Sequence, residues 1–330
     1  MLWPLQNWGS DFVPMEPIHQ PVLIDAVTEF LCRAKAGLWV DCTVGTGGHA
    51  EAMLSSSPAP RVIGIDRDEE AIIRTTVRLQ RFGNRFTAVH ADFNHLAEIL
   101  AQLGIKEVDG ILADLGVSSL QLEEAARGFS FQKEGPLDMR MDRRQKLTAA
   151  NLVNDLSERE IADLIYRYGE EPAARAIARA IVRDRSIQRI ETTMQLANVV
   201  RRALRSRPSV RLHPATRTFQ ALRIAVNDEL SGLGNMIGQA IEHLKPGGRL
   251  AVISFHSLED RIIKQGFRFH SGRCQCPPLL ASTAALGTCP ICGSTRKVEI
   301  LTRRPVQPSE MEVEQNPRAR SARLRVCQRL

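Results

Sequence analysis

Apolar positions along this chain alternate between short continuous runs and faces spaced at helical intervals. Leu23, Ala26, Val27, Phe30 and Leu31 fall on one face of a helix opened by Pro21. Leu38–Val44 then forms a short strand that ends in the glycine turn Gly45-Thr46-Gly47-Gly48, and a helix runs on through Ala50 and Met53. Arg61–Asp66 is a second buried strand, followed by a helix carrying Ile72, Ile73 and Val77. Arg85–Ala91 and Val108–Leu115 read as the third and fourth strands. Strands alternating with helices predict a parallel sheet covered on both faces.

The rhythm stops after Asp114-Leu115-Gly116. From about Ser118 to His213 the chain holds loops and helical patterns such as Glu158–Arg167 and Pro172–Arg185, with no strand-like run. A helix near Phe219–Leu230, a turn at His243–Gly248 and a strand at Arg249–Phe255 restore it. The expected architecture is one α/β domain, residues 18–117 and 216–330, interrupted by an all-helical domain at 118–215. Residues 1–17 carry prolines and aromatics without a period and are expected to be a loosely attached extension. Edge strands are expected near Val298–Arg303 and Arg320–Val326, and no internal repeat is present.

No run reaches the roughly 18 apolar residues of a membrane helix, and the first twenty lack a secretion signal. The expectation is a soluble, cytoplasmic protein. A formal charge of +7 favours an anionic partner. Of the 44 basic residues only seven are lysines, and arginine's planar fork suits phosphates and base edges. Genomic base composition explains that bias equally well. Seven cysteines in a cytosolic chain of 330 residues do not suggest a disulfide framework.

A glycine turn between strand and helix lets backbone N–H groups approach a ligand. Asp66 ends the second strand about 20 residues after Gly45, where a carboxylate accepts both ribose hydroxyls of an adenosine. Dinucleotide-binding enzymes share these two features. Three others favour a class I, Rossmann-like methyltransferase sheet. Asp41 lies four residues before Gly45, placed to orient the turn and meet a cationic cofactor end; Asp92-Phe93 follows the third strand; and Leu244-Lys245-Pro246-Gly247-Gly248 precedes the fifth.

Longer strings carry a closer likeness. His19-Gln20-Pro21-Val22-Leu23, Asp41-Cys42-Thr43-Val44-Gly45-Thr46-Gly47-Gly48-His49 and Asp114-Leu115-Gly116-Val117-Ser118-Ser119 resemble the ribosomal RNA small subunit methyltransferase H family. So do Arg127-Gly128-Phe129-Ser130-Phe131, Gly135-Pro136-Leu137-Asp138-Met139-Arg140-Met141 and Phe255-His256-Ser257-Leu258-Glu259-Asp260-Arg261. The likeness runs from about residue 18 to Asn316–Ala322 and is weakest in the N-terminal extension and in Cys274–Cys292. It implies N4-methylation of a cytidine in the decoding region of 16S rRNA, with S-adenosylmethionine as donor. It also implies cofactor contacts from Gly47, Gly48 and His49, from Asp66 to the ribose and from Phe93 to the adenine, with Asp114 and Gln121 bordering the methyl end.

Asp114, ending the fourth strand, is the candidate catalytic acceptor for an amine that is a poor nucleophile. Leu115-Gly116 follows it in place of an aromatic run, so a stacking ring must come from elsewhere; Phe129 or Phe131 is the candidate, with core packing the alternative. Cytosine C5 chemistry is rejected, because Cys42 is buried within a strand and Cys276 sits among other cysteines. His256 either contacts substrate or is an ordinary hydrogen-bonded ring. Cys274-x-Cys276 and Cys289-x2-Cys292 suit tetrahedral structural zinc, with reduced, unliganded thiols or adventitious oxidation as the alternatives. Arg175, Arg179 and Arg183 form a helix stripe that is equally well a solvated face paired with Glu170 and Glu171, and Arg201, Arg202, Arg205, Arg207, Arg211 and Arg217 form a denser cluster suited to RNA phosphates. The expected partner is 16S rRNA or the small ribosomal subunit, with monomer and homodimer both open. Two rival classes share parts of the pattern: an NAD-linked oxidoreductase and a non-catalytic RNA-binding ribosome assembly factor.

Overall fold

Val62-Ile63, Ile111-Leu112 and Val252-Ile253 are continuous apolar runs buried on both sides, the pattern of parallel strands under two helical layers. A computed structural model describes residues 21–31, 37–56, 60–204, 213–274, 276, 288–289 and 291–330. The expected N-terminal extension, His19, Gln20, Arg205, Arg207 and Arg211 lie outside these residues. Five strands run parallel: β1 (Leu38–Asp41), β2 (Arg61–Asp66), β3 (Phe86–His90), β4 (Val108–Asp114) and β5 (Leu244–Ser254). With β6 (Val298–Ile300) and β7 (Arg323–Arg329) they form one sheet in the order β3-β2-β1-β4-β5-β7-β6.

Both β5 and β6 pair with β7 antiparallel, so β7 alone runs against the others. The expectation of two edge strands therefore holds only for β6. Leu324, Val326 and Cys327 are fully buried, and such a strand is more stable between two neighbours than at a rim. It also starts later than expected, because Pro317–Ser321 winds into a short 3₁₀ turn. At the other end of the chain β1 stops at Asp41 and not at Val44. The Asp41 carboxylate accepts the Thr43 N–H at 3.2 Å, which turns the chain locally.

The sheet divides two cores by strand alternation. Trp39, Val62, Leu112 and Ile253 pack with Val27, Met53, Leu54 and Ile72 on one face. Val40, Ile63, Ile111 and Val252 pack with Leu233, Ile237, Ile263 and Phe267 on the other. This unit comprises Gly232–Leu330 together with the chain up to Gly116.

Val117–Ser231 forms a second compact unit. Its longer helices are Glu158–Gly169, Ala174–Arg185, Thr193–Ala203 and Thr216–Asn227. Ser157 with Glu160 and Thr192 with Gln195 close capping boxes at two of them. Ile161, Ile165, Ile177, Ile181, Leu196 and Val200 fill its core, together with Phe219, Leu222 and Val226. The helix at 216–227 thus belongs here, and not to the returning α/β rhythm as the pattern suggests. The helix packs tightly against Gly169, where a Cβ would lie 2.6 Å from the Arg217 carbonyl oxygen.

Candidate functional site

Parallel strands bring their carboxyl ends to one edge of the sheet, and β1 has neighbours whose connections run in opposite directions. The gap beyond β1 and β4 is the switch point where open α/β sheets place ligands. Asp41, Asp66 and Asp114 are the last residues of β1, β2 and β4, and the register sets Asp66 opposite His90 and Asp114 opposite Ile253. Three carboxyl groups therefore gather at one edge.

Asp66 braces the glycine turn. Its Oδ2 accepts the Gly45 N–H at 2.8 Å and its Oδ1 the Asp68 N–H at 2.9 Å. A carboxylate has about four acceptor sites, so two remain for the vicinal hydroxyls of a ribose. Gly47, with φ of +84°, caps the helix Gly48–Ser55, and a Cβ there would stand 2.3 Å from Thr75 Oγ1. Only glycine fits. His49, on the first turn of that helix, is buried, and its Nε2 donates to the Val22 carbonyl at 2.8 Å.

Burial sets the electrostatics. It pushes the Asp41 carboxyl up to about 7, against the Thr43 N–H and with the charge of Asp66 adding to it. It pushes Asp66 up to about 6, while the N–H groups of Asp68 and Gly45 pull the other way. Asp114 is raised well above the usual carboxylate range by burial, then by Asp41 and Glu259. Burial also lowers the His49 ring to about 4, so it stays neutral at ordinary pH. Asp114 is poorly held. Its Oδ1 is enclosed and has no hydrogen-bond partner among the described residues, while 23% of the side chain is exposed.

S-adenosylmethionine fits this chemistry. Crowded carboxyl groups that burial holds near neutrality gain most from a cation, and the cofactor carries one on sulfur and one on its amine. Asp41, Gly47, Gly48, His49, Asp66 and Asp114 all belong to the first unit around the switch point. Phe93, half-buried, opens the short turn after β3, where Asp92 accepts the Asn94 N–H at 2.8 Å. Gln121 belongs to the second unit; its Oε1 accepts the Ser118 N–H at 3.1 Å in a capping box of the helix Ser119–Glu123.

Other expectations fare differently. Phe129 is a buried core residue of the second unit, and Phe131 stacks on His213 at 4.4 Å between ring centroids, so neither ring is free. His256 caps the helix Ser257–His270, with its Nδ1 facing the Glu259 N–H at 3.5 Å and Glu259 reaching back. Glu259, which the sequence names only within a longer string, closes that capping box, and a histidine where serine or threonine usually stands hides the signal.

A lone reversed strand between β5 and β6, with carboxylates at the ends of β1, β2 and β4, defines a class I S-adenosylmethionine-dependent methyltransferase. The sequence model of the MraW methylase family matches residues 16–330, and the chain belongs to that family. It is 49% identical over 318 residues to the ribosomal RNA small subunit methyltransferase H of Thermomicrobium roseum, covering 96% of this chain and 95% of that one. The protein of that name from Symbiobacterium thermophilum is 49% identical over 316 residues, 94% of this chain and 96% of its own. Among solved structures, an rRNA methylase from Streptococcus thermophilus aligns with 96% of this chain and 99% of its own, at 12% identity and a TM-score of 0.40.

Proposed function

We propose that this protein methylates the exocyclic N4 of a cytidine in the decoding region of 16S rRNA. The observation that carries the reading is Asp114: an enclosed carboxyl oxygen, without a hydrogen-bond partner among the described residues, at the switch point of a methyltransferase sheet. The names of the relatives supply the class of RNA. A cytosine amine supplies the N–H donor that such an oxygen lacks.

Bound at this edge, S-adenosylmethionine supplies a methyl group on a cationic sulfur. Asp66 would hold its ribose, Gly47, Gly48 and His49 the turn around it, and Phe93 the adenine; Gln121 is a further contact on the family resemblance alone. Asp114 accepts an N4–H, which aligns the nitrogen and raises the electron density on it. A carboxylate with an elevated pKa is also a competent base for the proton that leaves the nitrogen. His49, held neutral, brings no competing positive charge to Asp114.

Arginines of the second unit offer an RNA surface. Arg202 and Arg183 share Asp184, the latter at 3.0 Å, and Arg217 meets Glu171 at 3.5 Å. Exposed pairs of this kind contribute about 0–1 kcal/mol and exchange readily for phosphates. Nucleoside mass spectrometry of 16S rRNA from cells with and without the gene tests the reading. Loss of one N4-methylated cytidine is expected; an unchanged nucleoside profile, or loss of a C5-methylated base, contradicts it.

A further inference from the structure

Beyond the methyltransferase site, four cysteines follow the helix Ser257–His270: Cys274, Cys276, Cys289 and Cys292. Their four sulfurs all lie within 4.8 Å of one another. Cys274 Sγ is 3.4 Å from that of Cys289 and 3.6 Å from that of Cys292. These are not disulfide lengths, which are about 2.05 Å. They are close to the sulfur–sulfur edge of about 3.8 Å in a tetrahedron built on zinc–sulfur bonds of about 2.3 Å. Iron–sulfur clusters interpose several metal and sulfide atoms between the thiolates and hold them farther apart.

The geometry points to a structural zinc ion held by these four cysteines. Only one residue separates Cys274 from Cys276, yet Cys276 still reaches the group. Backbone N–H groups serve the sulfurs as they would thiolates: that of Cys276 donates to Cys274 Sγ at 3.3 Å, and those of Ile291 and Cys292 to the sulfur of Cys289. The second pair sits on a tight turn, with Cys289 N–H bonded to the Ser294 carbonyl at 2.8 Å and Gly293 N–H to the Cys289 carbonyl at 2.9 Å. Gly293 takes the left-handed φ of +72° that this reversal needs.

The cluster also joins two parts of the first unit. Ser294 Oγ donates to the Phe269 carbonyl at 2.7 Å, and Lys297 N–H to the His270 carbonyl at 2.7 Å, just before β6 begins. A zinc ion there would pin the end of the helix Ser257–His270 to the start of an edge strand. Four protein ligands complete its coordination, so it has no position left for substrate or water.

Elemental analysis of the full-length protein, purified reduced and without chelator, tests this. About one zinc per chain is expected, together with its release by a strong chelator and a faster proteolytic cut after Arg273. Cobalt(II) added to the stripped protein should give the intense visible bands of a tetrahedral thiolate site. The Cys289→Ser/Cys292→Ser variant should lose both the zinc and the cobalt spectrum while its circular dichroism stays that of a folded protein. If that variant fails to fold, the cobalt titration of the unaltered chain decides alone. Reduced protein that holds no metal and gives no cobalt bands, iron in place of zinc, or zinc retained by a folded double variant each overturns the assignment.

Discussion

His49 Nδ1 and Asp114 Oδ2 face each other at 3.6 Å, too far apart for a hydrogen bond. The other nitrogen of the ring donates to Val22, which leaves Nδ1 without a proton, facing the Asp114 carboxyl but not bonded to it. Burial keeps the ring uncharged down to about pH 4, so Asp114 gains neither a proton donor nor a cation from it. Among the described residues nothing donates to Asp114 Oδ1, which under the proposed function is where the N–H of the substrate amine binds.

Asp66 gives the first prediction. Replacing it with alanine removes acceptors for the ribose and for Gly45, and hydrogen bonds to a charged group are worth about 1.5–3 kcal/mol. Calorimetry should show S-adenosylhomocysteine binding weakened roughly 10- to 150-fold. Because the free carboxyl titrates near 6 and the ionised form is the better acceptor, wild-type affinity should fall as pH drops below that value. Equal affinity at pH 5 and 8 would count against Asp66.

Asp41→Asn should trade binding for stability. Its folded pKa, about 7, lies above the ordinary 3.8, so the wild type loses stability as pH rises from about 4 through 7. Asparagine keeps an acceptor for the Thr43 N–H but never ionises. Denaturant melts of ligand-free protein should therefore favour the variant at pH 8 by about 2–4 kcal/mol, with no difference near pH 4. A gain that grows toward acid would refute the reading, as would unweakened cofactor binding.

Gly47→Ala places a Cβ at a positive φ and against Thr75 Oγ1. The backbone strain alone costs about 1–2 kcal/mol, and the clash adds to it. The melting temperature and cofactor affinity should both drop, and a second change, Thr75→Ala, should recover part of the loss. Recovery of nothing would place the strain elsewhere.

The carboxylates were legible before the fold because each closes a short apolar run just ahead of a turn, a local signal in a parallel sheet. Asp41, Asp66 and Asp114 stand at strand ends for that reason. Long-range pairing was not legible. Nothing near Arg323 tells whether its strand lies at a rim or between β5 and β6, since two distant strands decide it. The helix Thr216–Asn227 likewise shows an apolar face but not which core receives it. Which ring nitrogen of His49 carries the proton depends on Val22, 27 positions earlier, and no periodicity announces that bond.

RNA binding should depend on the second unit. Arg201 and Arg202 are exposed at the end of the helix Thr193–Ala203, and replacing both with alanine should weaken binding of a 16S rRNA fragment. The salt dependence should become shallower by roughly one unit of slope for each phosphate that is no longer neutralised. Cofactor affinity should not change. Filter binding from low to high salt measures this, and an unaltered slope would move the RNA surface elsewhere.

The central claim is that Asp114 accepts the amine hydrogen, and single-turnover methyl transfer to 16S rRNA or the small subunit tests it most directly. With RNA and S-adenosylmethionine saturating, Asp114→Ala should transfer methyl about 10²–10⁴ times more slowly than wild type while binding RNA nearly as well. The wild-type rate should rise with pH as the elevated carboxyl ionises. A folded Asp114→Ala protein that binds cofactor and methylates N4 at the wild-type rate would contradict the mechanism.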